Sequence, residues 1–295
     1  MTKGNAGSPK SAETLRKRSQ AWDVWRRFRR NKLAMVGLVV VLLVVLSAVF
    51  ADVIAPYSPS EQTANRLALP NWEHLCGTDN LGRDLFSRIL FGGRTSLLVA
   101  LLGLIISLVI GTLLGSTAGY FGGPYESAVM RVMDTLMSIP ALLLAVSISA
   151  MLGTGIANTA IAIAISGIPP TARLTRATVL TIRGQEYVEA AQARGNTHLG
   201  VILKHILPNT LSPLIVDCTL RVCGNIMQIS SLSFIGLGVQ APTPEWGSIM
   251  NAGRDYFIRA YPMVLFPGIM VILTMFGFNM IGDGLRDALD PKLKR

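Results

Sequence analysis

Apolar residues in this chain come in blocks of about 20, each long enough as a helix to cross about 30 Å of hydrocarbon. That pattern limits the fold more than anything else in the sequence. The 295 residues are 51% hydrophobic and 15% charged, where a soluble domain carries about 25% charged residues. The blocks fall at 33–54, 96–118, 130–151, 156–172, 209–232 and 263–283. The fold expected is all-α, a polytopic membrane protein of six transmembrane helices. Residues 33–54 are too long and too far from the start for a cleaved signal peptide, so they read as a retained anchor span. Pro140 interrupts the third block, and Pro169-Pro170 end the fourth.

The net charge is +10, and its distribution assigns it to topology. The segments 1–32, 119–129, 171–208 and 284–295 carry nineteen of the 27 Lys and Arg residues, against six in 55–95, 152–155 and 233–262. The positive-inside rule then puts both termini in the cytoplasm, and nucleic acid is not needed as a partner. Residues 1–32 interleave Trp22, Trp25 and Phe28 with Arg26, Arg27, Arg29 and Arg30. That is the pattern of a stretch lying on an anionic membrane face, or of a plain solvated basic tail. Residues 55–95, with Pro56, Pro59 and Pro70, form an external loop or small hairpin. The three cysteines, Cys76, Cys218 and Cys223, have no zinc-ligand spacing and read as small apolar fillers.

Segment 186–208 is the informative cytoplasmic loop. Glu189-Ala190-Ala191-Gln192-Ala193-Arg194-Gly195 reads as a short helix whose small residues let another protein approach the backbone. Gly195 then allows a sharp turn. A second helix follows, ending at Pro208, which starts the next span.

Glu189, Ala190, Ala191, Gly195, Leu207 and Pro208 resemble the coupling-loop motif of type I ATP-binding-cassette importer permeases. His205 stands where that pattern often has Ile. Two further stretches, Gly77–Arg88 and Phe278–Pro291, resemble the second, C-type, permease of the dipeptide, oligopeptide, nickel and glutathione group. Gln240–Gly247 fits as well. The resemblance covers residues 25–295 and implies an anchor helix, 33–54, added to a five-helix core, 96–283. It implies residence in the bacterial inner membrane beside a second permease and two ATPases. Those ATPases hold the loop around Glu189–Pro208, including His205, and an external binding protein delivers a peptide-like solute. The chain has no Gly-x-x-x-x-Gly-Lys-Ser/Thr. By the same resemblance ATP and Mg belong to the ATPases, and this chain is a non-catalytic subunit without a cofactor of its own.

Other constellations have narrower readings. Asp217 and Arg221 lie four apart on one face of the fifth span and are candidates for the translocation path, or a mutually neutralising structural pair. Arg131 and Asp134 read as an interfacial pair. Asp79, Arg83, Asp84 and Arg88, with Glu245 and Trp246, are candidates for an external interface with the partner permease or binding protein. Gly103, Gly111 and Gly115 at helical spacing read as a packing face. His74, His198 and His205 are too scattered for a metal, and Gly236-x-Gly238-x-x-Ala241 lacks the βαβ setting of a dinucleotide site. The alternatives to an ATP-driven importer are a secondary transporter or channel and a membrane-embedded hydrolase. The first lacks a clear internal repeat and the second lacks a catalytic constellation.

Overall fold

The described residues fold into one bundle of α-helices. The computed structural model describes residues 20–289. Residues 1–19 of the basic N-terminal segment and 290–295 of the tail, including Asp290 and Pro291, lie outside the described residues. The helices are α1 (Gln20–Phe28), α2 (Lys32–Val49), α3 (Ala51–Ile54), α4 (Leu85–Phe121), α5 (Gly123–Met137), α6 (Ala141–Leu152), α7 (Ile156–Arg183), α8 (Glu186–Ala193), α9 (His198–Val201), α10 (Leu207–Phe234), α11 (Trp246–Arg254) and α12 (Pro262–Leu289), with a π-helical turn Ile202–Ile206 before α10. Lys32–Val49, Leu85–Phe121, the continuous run His198–Phe234 and Pro262–Leu289 are long and apolar enough to cross a membrane. The pair α5 and α6, bent by 89°, adds a fifth if counted as one span. Helix α7, expected as the fourth span, is not among them: it is more polar, carrying Asn158, Thr159, Thr171 and Thr175. Only 22–33% of each apolar window is buried, so the outer faces of these helices are left for lipid or another subunit to cover.

Several expected boundaries are corrected. The second span is the middle of a 37-residue helix, about 55 Å long at about 1.5 Å per residue, so it projects well past the hydrocarbon. Its first turns, with Arg88 and Arg94, were expected in the external loop 55–95. The loop ends instead at Asp84, whose Oδ2 caps α4 by accepting the Ser87 N–H at 2.8 Å. A Gly-rich turn follows α4, with Gly122 at φ 72° and Gly123 at φ 62°, and α5 starts at once, seven residues before the expected 130. The break at Ser138–Pro140 makes the third pass two helices. Pro169 and Pro170 do not end the fourth: α7 continues through them to Arg183. Neither does Pro208 end a helix, because the π turn absorbs it. There the Leu207 N–H reaches back five residues to the Ile202 carbonyl, and Asn209 Nδ2 donates to the His205 carbonyl at 2.7 Å.

The bundle is organised by α4 against α7. A Cβ on Gly103 would lie 3.0 Å from Ile163 Cγ2, one on Gly111 2.6 Å from Thr171 Cβ, and one on Gly115 2.3 Å from the Ala172 carbonyl oxygen. Gly119 continues the face against Val179, and Gly167 of α7 returns the fit against Ser107. The two backbones therefore touch along four turns, as small residues permit where helices cannot gain by hiding apolar surface from lipid. The main core collects Val99 and Ala100 of α4, Ile163 of α7, Ile226, Ile229 and Leu232 of α10, Trp246 and Ile249 of α11, and Met263 of α12.

Helix α11 closes one end of this core through two residues. Glu245 caps it, Oε2 accepting the Ser248 N–H at 2.8 Å, while Oε1 accepts from Ser96 Oγ of α4 at 2.9 Å. Trp246 Nε1 donates to the Ile89 carbonyl at 3.0 Å. Burial pushes the Glu245 carboxyl above the usual carboxylate range.

Gly115→Ala is expected to destabilise the chain by about 1–3 kcal/mol, seen as a lower melting temperature in detergent. Gly184→Ala, where a Cβ meets nothing within 4 Å, is expected to leave it unchanged. Equal melting of the two variants would count against the α4–α7 contact. Glu245→Gln keeps an acceptor without a buried charge and is expected to melt near wild type. Glu245→Ala loses the cap, at about 0.5–2 kcal/mol, and melts lower. The reverse order in the same assay would exclude capping as the role.

Candidate functional site

The segment 186–208 is a rigid knuckle seated on its own chain. Helix α8 ends in a Schellman motif: the Gly195 N–H bonds the Gln192 carbonyl at 2.9 Å and the Asn196 N–H bonds the Ala191 carbonyl at 3.3 Å. Gly195 is in the left-handed region, φ +80°, with open space around it. Thr197 Oγ1 then caps α9 by accepting the Gly200 N–H at 3.2 Å. Val188, Val201, Ile202 and Ile206 pack with Val179 of α7 in a separate small core, flanked by Leu207 and Tyr120.

The face turned away from that core is defined by what remains exposed. Glu186, Glu189, Ala190, Ala193, Arg194, Gly195 and Pro208 are exposed, as are Tyr187, Leu199 and Leu203. His205 and Leu207 are half-buried. Ala191 is 0% exposed, which corrects its expected place on a partner-facing surface. It lies one turn from Val188 and is small because α8 rests there.

Sequence reasoning missed the brace under this knuckle. Tyr120, at the end of α4, shares a 2.9 Å hydrogen bond between its hydroxyl and His198 Nδ1 and accepts from Gln192 Nε2 at 3.2 Å. The rings of Tyr120 and Phe121 stand edge-on to His198, at centroid distances of 5.6 and 5.8 Å. Nothing in their spacing relates them to a histidine about eighty residues on.

Asp217 and Arg221 form the expected ion pair on α10. Arg221 also donates to the Gly167 carbonyl of α7 at 3.2 Å, beside the two prolines. Asp217 lines a cavity of about 610 Å³ together with Leu174, Ser212, Pro213, Val216, Leu220, Arg286 and Leu289. The pair is thus half brace and half cavity wall. Arg131 and Asp134 are not a pair: Asp134 binds Arg173 of α7. Glu126 likewise binds Arg176, so α5 is tied to α7 by two ion pairs across a cavity of about 720 Å³ that Arg131 also lines.

The six residues expected at an external interface are buried in the chain itself. Asp79 is 1% exposed, Arg83 6%, Asp84 1%, Arg88 3%, and Glu245 and Trp246 0%. Asp79 Oδ2 accepts from Arg83 Nε at 2.6 Å, and Arg88 Nε lies 3.5 Å away. Arg88 also donates to the Pro59 carbonyl at 2.9 Å. Asp84 Oδ1 lies 2.9 Å from His74 Nδ1. An unpaired charge could not be held this deep, but here each has partners and ties loop 55–84 to α4. Among the described residues no group of three His, Cys, Asp or Glu side chains is placed to hold a metal. The three cysteines are free.

A family profile described as the binding-protein-dependent transport system inner membrane component matches residues 111–295. A second, described as the N-terminal TM domain of oligopeptide transport permease C, matches residues 19–70. The di/tripeptide transport system permease protein DppC of Pseudomonas aeruginosa (strain UCBPP-PA14) is 46% identical over 294 residues, covering 97% of each chain. The glutathione transport system permease protein GsiD of Escherichia coli O157:H7 is 44% identical over 274 residues, 92% of this chain and 90% of the relative. The dipeptide transport system permease protein DppC of Alkalihalophilus pseudofirmus is 44% identical over 273 residues, with the same coverage of 92% and 90%. The 186–208 knuckle and the Asp217–Arg221 pair both fall within the first match, and the chain belongs to the family of binding-protein-dependent transport system inner membrane components, as a permease subunit.

Proposed function

We propose that this chain forms half of the membrane pathway of an ATP-driven importer for small peptides or peptide-like solutes, and that segment 186–208 is where an ATPase subunit grips it. The family assignment sets aside the ATPase-independent secondary transporter or channel. The observation that carries the ATPase reading is the knuckle itself. Its inner side is packed on Val179, Val188, Val201, Ile202 and Ile206, so a push on its exposed face moves α7 and α10 rather than bending a loop. Glu189, Ala190, Gly195 and Pro208 lie on that face, with His205 and Leu207 at its edge. Two ATPases would bind ATP and Mg, a second permease would complete the pathway, and an external binding protein would deliver the solute.

The orientation proposed puts the knuckle and both termini in the cytoplasm of a bacterial cell, at its inner membrane. It is supported by Arg29, Arg173, Arg176, Arg194 and Arg286 gathering at one end of the bundle while loop 55–84 occupies the other. The peptide class rests on the names of the relatives. Peptides carry an amine and a carboxylate, and the Asp217–Arg221 pair beside the α10 cavity offers one group of each sign. We propose that it lines the path.

Ala190→Arg changes an exposed helical position without straining the backbone. It is expected to cut co-purification of the ATPase from mild detergent at least tenfold, about 1.4 kcal/mol, and to leave the second permease bound. Gly195→Val, which a positive φ resists, is expected to do the same. Full ATPase recovery with Ala190→Arg would refute the grip. For the path, the double variant Asp217→Asn/Arg221→Gln is expected to assemble normally. Dipeptide uptake into proteoliposomes should fall by about tenfold, roughly the worth of one charged contact. Undiminished uptake would leave the pair a structural brace only.

A further inference from the structure

The N-terminal helix carries a surface that neither the transport pathway nor the knuckle uses. Helix α1 is held down by Phe28, which is 3% exposed and packs on Ala34, Val41, Ile281 and Ala288. The turn that follows is locked, because Asn31 Oδ1 accepts from the Leu33 and Ala34 N–H groups at 3.1 and 3.2 Å and its Nδ2 donates to Asp287 at 3.3 Å. This short helix is therefore fastened at the point where α2 begins.

Its other side is bare. Trp22 is 57% exposed and Trp25 41%. Trp25 is kept in place by stacking on Phe28, with ring centroids 5.9 Å apart and planes 15° from parallel. Trp22, Trp25, Arg26, Arg29 and Arg30 together line a cleft of about 270 Å³. Among the described residues no carboxylate lies within 4.0 Å of Arg26, Arg29 or Arg30. Residues 22–32 hold five basic side chains and one acid, Asp23, which does not line the cleft.

We infer that this cleft is a binding site for the phosphate headgroup of an anionic phospholipid, in the leaflet where α2 enters the bilayer. Three guanidinium groups converge on one small concavity, and guanidinium binds phosphate oxygens through paired N–H donors. Two indole rings border it, the side chain favoured at the level of lipid headgroups. The cleft also lies next to Lys32, after which Leu33 and Val36 are exposed apolar residues of the first span. A headgroup seated there keeps its acyl chains beside α2. A soluble acidic partner would gain nothing from that neighbourhood. Because Phe28 packs on the end of α12, the lipid would hold that end of the bundle at the membrane surface.

The test uses the full chain in nanodiscs of phosphatidylcholine with one lipid in five brominated, either phosphatidylglycerol or phosphatidylcholine. Quenching assigned to Trp22 and Trp25 is taken as the difference from a Trp22→Phe/Trp25→Phe variant. Brominated phosphatidylglycerol is expected to quench as though enriched at the cleft by at least five-fold, the worth of one engaged guanidinium. Arg26→Gln/Arg29→Gln/Arg30→Gln should abolish the preference, and millimolar inorganic phosphate should not. Equal quenching by the two brominated lipids in the wild-type chain overturns the proposal without any appeal to a variant. Loss of the preference on adding phosphate would show a free-anion site instead.

Discussion

The contact on which the rest depends is the backbone-to-backbone approach of α4 and α7. Gly111 and Gly115 leave no space for even one carbon against Thr171 and Ala172. In a bilayer this closeness matters more than in water, since hiding apolar side chains from lipid gives no driving force and packing must supply it. The contact also sets both ends of the molecule. At one end α4 delivers Tyr120 to His198, bracing the 186–208 knuckle. Toward the other it delivers Ser96 to Glu245 and the Ile89 carbonyl to Trp246, closing the core under α11.

The existence of the spans was legible because hydrocarbon thickness is a length that composition can reveal. Their ends were not. Helix α4 starts eleven residues before its apolar block, since Arg88 and Arg94 look like loop when read singly. In the structure Arg88 is buried beside Asp79 and donates to the Pro59 carbonyl. Proline misled in the opposite direction. Pro169-Pro170 look like a terminus, yet α7 passes through them with its neighbours in place. Pro208 does stand in the first turn of α10, as expected, but the chain enters it through a π turn in one continuous run from His198.

Within the candidate site, positions governed by local backbone rules were readable and those governed by contact were not. Gly195 had to be glycine because the Schellman turn needs a positive φ, and a sequence shows that directly. The inward turn of Ala191, beside its exposed neighbour Ala190, depends on which side of α8 packs toward Val179 and Val201, and the motif does not record it. The same limit explains the external residues. Asp79, Arg83, Asp84 and Arg88 read as an external interface because they are charged. Charge predicts exposure only where partners are absent, and here four ionisable groups, a histidine, the Pro59 carbonyl and several backbone N–H groups satisfy one another.

The two ends of the bundle thus use charge in opposite ways, and burial decides which. Around Asp79 and Asp84 the acids and bases are matched within 3.5 Å and shielded from water. Removing one partner there would strand another, so such a cluster holds shape and has little left to offer a ligand. At the knuckle end Glu186, Glu189 and Arg194 stay exposed, as do Arg26 of α1 and Arg29 and Arg30 just after it. A solvated charge costs little to keep and remains free to pair with something outside the chain. A permease subunit needs both arrangements. Loop 55–84 has to keep its form on a helix that projects past the membrane, while the other end, in the proposed function, is gripped and released by a separate subunit. Only exposed charges and small side chains, set on a base that does not itself yield, allow that repeated exchange.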